Sequence, residues 1–114
     1  MPQVSGDPLP LDPAVLAPLT GGDPAETKAL LDDFMDTTAQ DLQELQVARA
    51  AGDLDALARQ AHKIKGAARL VGAGPLAEAA LAAETAAKSG DWAQVLPACA
   101  DVATAVERLR RHIG

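Results

Sequence analysis

Four short strings punctuate this chain so regularly that little except a succession of helices can form between them. In "LDPAVL" and "GGDPAE" an aspartate, Asp12 or Asp23, precedes a proline, Pro13 or Pro24. A short acidic side chain accepts hydrogen bonds from the free N–H groups of a first helical turn, and proline suits the first helical position. In "AGDLDAL" and "SGDWAQV" a glycine, Gly52 or Gly90, precedes Asp53 or Asp91. There the glycine ends one helix in the left-handed conformation and the aspartate begins the next. A fifth break, "VGAGPL", has two glycines for a turn and Pro75 for a helix start. The punctuation predicts a short helix near 13–19 and longer ones near 24–51, 54–71, 75–89 and 92–112.

Periodicity gives four of these segments an apolar face. The second helix aligns Leu31, Phe34, Thr38, Leu42, Leu45 and Ala48, and the third aligns Leu54, Leu57, Ala61, Ile64, Ala68 and Val71. The fourth offers Leu76, Ala80, Ala83 and Ala87. The fifth offers Trp92, Val95, Cys99, Val102, Val106, Leu109 and Ile113. Only 2% of residues are aromatic although 48% are hydrophobic, so the core must come from Ala, Leu and Val on closely packed helices. Short links between long helices favour antiparallel neighbours. The expected fold is all-α: an up-down antiparallel four-helix bundle with a short additional N-terminal helix. Its 114 residues suit one domain, read as 12–114 after a linker-like, Pro-rich lead-in over 1–11.

Charge is distributed unevenly. Residues 1–55 hold 11 acidic and 2 basic side chains, whereas 56–77 hold Arg59, Lys63, Lys65 and Arg69 and no acid. With a formal net charge of -6, the chain repels nucleic acid, and four cations without aromatics make a poor face for it. A small anion or an acidic pocket on a partner fits better. No run approaches the roughly 18 apolar residues of a membrane span, and the start lacks a secretory pattern. With its single cysteine, Cys99, the chain is expected to be soluble, in a reducing compartment, the cytoplasm by default.

His62 stands among those cations. With Ala61 at zero on a wheel of about 100° per residue, the third helix's apolar stripe ends near 20° and His62 falls near 100°, outside it. Ala58 and Lys65 fall between His62 and the core edge, Arg69 lies beside it, and Gly66 and Arg59 lie just beyond. A helix-interior glycine costs about 1 kcal/mol relative to alanine. Its absent side chain at 66 clears room for a group on the ring or for a partner's backbone, although close packing within the bundle would also require it. Lys65 can set an ammonium beside a phosphoryl group carried by the ring. The surrounding cations disfavour a charged imidazole, keeping a nitrogen lone pair available as a nucleophile. An exposed helical histidine is more often plain surface, and spacing alone leaves both readings open.

Other chemistries find less support. His62, His112 and Cys99 form no ligand pair at helical spacing, so no metal site is expected. Nucleophile-elbow and Gly-rich phosphate-loop motifs are absent. Cys99 and Trp92 fit the core stripe of the last helix, and His112 with Arg110 and Arg111 complements the dipole at its C-terminal end.

The string "HKIKGAARLVGAGPL" resembles the signature of the histidine-containing phosphotransfer (HPt) domains of phosphorelays, matching at His62, Lys65, Gly66, Ala67, Ala68, Gly72, Ala73 and Leu76. Flanking strings, "LDPAVLAPLTGGDPAETKALLDDF" and "AETAAKSGDW", look like the same family's, so the resemblance covers nearly the whole chain. Ile64 stands where Leu is more usual, and Ala83 where the family often has Leu before Glu. The resemblance implies a four-helix bundle with an exposed histidine that takes a phosphoryl group from an aspartyl phosphate on one receiver domain and passes it to an aspartate on another. It implies no autonomous catalysis and no cofactor on this domain, with Mg²⁺ and most catalytic groups on the receiver. His62 would be the phosphoacceptor, Lys65 the phosphoryl-stabilising cation and Gly66 the clearance position. Ala58, Arg59, Lys63 and Arg69 are assigned to partner binding by proximity, with small residues near the ring and apolar neighbours from the second helix forming the docking patch. A monomer is expected. The chain could be free-standing or the C-terminal module of a hybrid sensor histidine kinase. Two alternatives are a phosphoacceptor domain of a chemotaxis-type kinase and a helical adaptor in which His62 is idle.

Overall fold

A computed structural model describes residues 9–113, which form five α-helices. They are α1 (Pro13–Thr20), α2 (Pro24–Ala51), α3 (Leu54–Leu70), α4 (Gly74–Ser89) and α5 (Trp92–Ile113). Each long-helix boundary lies within one residue of the punctuation. Asp12, Asp23 and Asp53 accept hydrogen bonds from the N–H groups of Ala14 (2.9 Å), Ala25 (2.8 Å) and Ala56 (3.0 Å). Gly21, Gly52 and Gly90 close α1, α2 and α4 in the left-handed conformation. The α3–α4 turn works differently, because α4 starts after Ala73 without a side-chain cap.

Links of two or three residues make successive long helices neighbours. α3 packs against α2 and α4, and α5 closes the ring by packing on both α4 and α2. Five alanines of α4, at 77, 80, 83, 86 and 87, are buried; such small side chains let neighbouring helices approach closely. The apolar stripes supply most of the core, with Leu45, Leu57, Ala61, Val95 and Val102 fully shielded from solvent. Two acids, Asp41 of α2 and Glu84 of α4, are buried with them. None of the five helices is long and apolar enough to cross a membrane.

Residues 1–8 of the expected lead-in lie outside the described residues. Leu11 is buried, and the Asp12 N–H donates to the Gly72 carbonyl at 2.8 Å. Gly72 has φ +77°, and a Cβ there would meet Val15 Cβ at 2.9 Å and the Asp12 carbonyl oxygen at 3.0 Å. Both conformation and space therefore demand glycine at this turn. The residues before α1 are fastened across the end of α3.

Candidate functional site

His62 lies midway along α3, beside the fully buried Ala61, and its side chain is 66% exposed. The wheel geometry thus holds: the backbone is locked into the bundle while the ring faces out. Across from it α4 presents Glu84, whose side chain is only 6% exposed. The Glu84 Oε2 atom lies 3.0 Å from His62 Nδ1, and its Oε1 accepts a hydrogen bond from Lys65 Nζ at 2.7 Å. Lys88, one turn along α4, places its ammonium 3.0 Å from Oε2. Hydrogen bonds from Lys65 first, then Lys88, hold the Glu84 carboxyl at a pKa of about 2, against burial that would raise it; the His62 contact acts in the same direction as the lysines.

This carboxylate corrects the expectation of a purely cationic surround. Lys65 and Lys88 are gathered on Glu84, and the ring's own ion-pair contact is with that anion. An ionised carboxylate can only accept hydrogen bonds, so His62 Nδ1 must donate. The neutral ring is fixed as the Nδ1–H tautomer, and its lone pair lies on Nε2. Sequence reasoning gave Glu84 and Lys88 no part in the site.

The remaining candidates separate onto two sides of α3. Ala58 and Arg59 line an open depression together with His62, Glu84 and Lys88. Lys63 turns the other way and pairs with the buried Asp41 of α2 at 3.2 Å. Apolar neighbours from α2 also lie on that second side, where Leu30 and Phe34 form a groove with Ala67, Leu70 and Val71. The expected single patch joining Ala58 to apolar residues of α2 is therefore two surfaces flanking the histidine ridge. Arg69 is exposed and makes no ion pair among the described residues. Gly66 is exposed, and a Cβ added there would meet nothing within 4 Å, so packing inside this bundle does not require a glycine. Cys99 is buried, and burial pushes its thiol pKa up. No group of three or more His, Cys, Asp or Glu side chains suited to a metal ion occurs among the described residues.

The site is thus an exposed imidazole on a helical bundle, with one ring nitrogen engaged by a buried carboxylate and the other left available for chemistry. The Hpt domain family profile matches residues 29–112, and the chain belongs to that family. Among solved structures, it is similar to histidine-containing phosphotransfer protein B (HptB) from Pseudomonas aeruginosa PAO1. The similarity has 30% sequence identity and a TM-score of 0.84, and it covers 91% of this chain and 90% of that one. Comparison with curated protein sequences returns no match.

Proposed function

We propose that the chain is a phosphorelay intermediate that carries a phosphoryl group on Nε2 of His62 between aspartates of receiver domains. One observation carries the assignment of atoms: Nδ1 of an exposed His62 is held at 3.0 Å by the buried Glu84 carboxylate. In this reading the Nε2 lone pair attacks the phosphorus of an aspartyl phosphate. The N–P bond forms, the P–O bond breaks, and the electron pair leaves with the receiver's carboxylate. The product ring bears hydrogen on Nδ1 and phosphorus on Nε2 and is cationic, so no proton need depart. Glu84 is the counter-charge for that cation.

The remaining roles follow from position. Gly66, one turn beyond His62, leaves clearance for the receiver's backbone, and Arg59 and Ala58 border the approach from the α4 side. Transfer of this kind consists mainly of positioning and charge neutralisation. We assign the divalent cation and the remaining catalytic groups to the receiver and no autonomous catalysis to this chain. The single, buried Cys99 suits a reducing compartment, and we place the chain in the cytoplasm as a monomer.

The test is transfer of label from a panel of phosphorylated receiver domains to the chain and to His62→Gln. Acid-labile, base-stable label on the parent alone is the expected result. Receivers that bind but never label the parent would leave an adaptor as the better description.

A further inference from the structure

The three donors on Glu84 differ in how readily they can leave it. Lys65 is 13% exposed and holds Oε1 alone at 2.7 Å. Moving its ammonium away would strip a buried carboxylate of its principal partner, an unfavourable exchange in low dielectric. Lys88 is 66% exposed and shares Oε2 with His62 Nδ1, both at 3.0 Å. The carboxylate is the same buried one, but the Lys88 ammonium keeps its access to water, so it leaves Oε2 at lower cost than Lys65 leaves Oε1. Lys88 also lines the depression that holds the imidazole, whereas Lys65 does not.

We infer that Lys88 is the phosphoryl-binding cation of this site and that Lys65 is a positioning residue, which holds Glu84 against His62. This rests on the reading of His62 as phosphoacceptor. When the N–P bond forms, the ring becomes a cation and its Nδ1–H bond to Oε2 strengthens. That bond competes with Lys88 for the shared oxygen just as a phosphoryl dianion arrives in the same depression. The Lys88 ammonium exchanges one oxygen anion for another over a short swing of an exposed side chain. Charge balance agrees: the resting cluster of neutral ring, Glu84, Lys65 and Lys88 carries one net positive charge, and the phosphorylated cluster is neutral. Without Lys88 these hydrogen-bonded groups would be left with a net negative charge, and Arg59, which lines the depression but makes no ion pair with Glu84, would be the remaining cation beside the dianion.

The test phosphorylates the full chain with phosphoramidate, a small donor that needs no receiver, and follows the phosphoryl group by phosphorus NMR across pH. Lys88→Gln is expected to raise the phosphoryl pKa by about half a unit and to shorten the phosphohistidine lifetime several-fold, with Lys88→Arg restoring both. A Lys88→Gln protein that titrates and hydrolyses like the parent overturns the assignment. So does a titration shift found in Lys65→Gln and absent in Lys88→Gln, which would return the phosphoryl contact to Lys65. A parent chain that accepts no phosphoryl group from phosphoramidate or from any receiver defeats the His62 reading itself, and this inference with it.

Discussion

Glu84 reaches His62 across the α3–α4 interface, its Oε2 atom 3.0 Å from Nδ1, although 22 positions separate the two in the chain. The contact joins the most exposed part of the site to one of the few charges buried in the bundle. It orients the ring, selects the tautomer and, in the proposed transfer, would supply the anion that a phosphorylated ring needs. Replacing Glu84 by Gln keeps the shape but removes the charge. Hydrogen bonds to charged groups are worth about 1.5–3 kcal/mol, so Glu84→Gln should slow phosphoryl transfer from a receiver by roughly 10- to 100-fold. Single-turnover transfer at the parent rate would show that the carboxylate's charge is not used.

The same carboxylate gives the fold a pH dependence. Its pKa is about 2 in the folded chain against an ordinary 4.5, so the unfolded chain binds this proton more tightly. The stabilisation is fully present above pH 4.5 and is lost as pH falls towards 2. Its size is on the order of 3 kcal/mol. Urea midpoints of the parent and Glu84→Gln should differ most near neutrality and converge in acid. A constant difference over that range would rule out the linkage.

Gly66 and Gly72 make opposite predictions. Open space surrounds Gly66, so Gly66→Arg should stabilise the helix by about 0.5–1 kcal/mol while blocking the approach of a receiver and abolishing transfer. Melting and transfer measured on the same sample check both halves. Transfer at the parent rate would remove the clearance role.

Gly72 is hemmed in by Val15 and the Asp12 carbonyl at positive φ. Gly72→Ala should therefore cost about 2–4 kcal/mol, combining left-handed strain with a steric clash, and lower the melting temperature on the order of 10 °C. A melting temperature unchanged within a degree or two would mean that the turn can relax.

The helices were legible because their signals are local: an aspartate, proline or glycine at each boundary and apolar residues every three or four positions. His62, Lys65 and Gly66 stood out as candidates for the same reason, being neighbours on one helix. Glu84 was not read as a site residue, since its role depends on which face α4 turns towards α3. A signal was nevertheless present. Ala77, Ala80, Glu84 and Ala87 form a small-residue stripe with one acid in it, and a buried acid needs a cation or donor opposite. Asp41 interrupts the stripe Phe34, Thr38, Leu45 and Ala48 in the same way, and Lys63 answers it. Neither acid was assigned a place in the sequence reading, which gave Lys63 to a partner and Lys65 to a phosphoryl group. In the fold each lysine pairs with an internal carboxylate.

The Asp12–Gly72 hydrogen bond fastens the polypeptide just ahead of α1 to the turn that follows α3, ten residues from His62. Lead-in and histidine helix thus form one mechanical piece. A tug or twist applied upstream of Leu11 is delivered to the rod that bears the imidazole. It reaches α4, which bears the carboxylate, both through the α3–α4 turn and along the face on which the two helices pack. Any strain that slides these two rods past each other alters the His62–Glu84 contact that spans them, where a fraction of an ångström sets how well the ring is held.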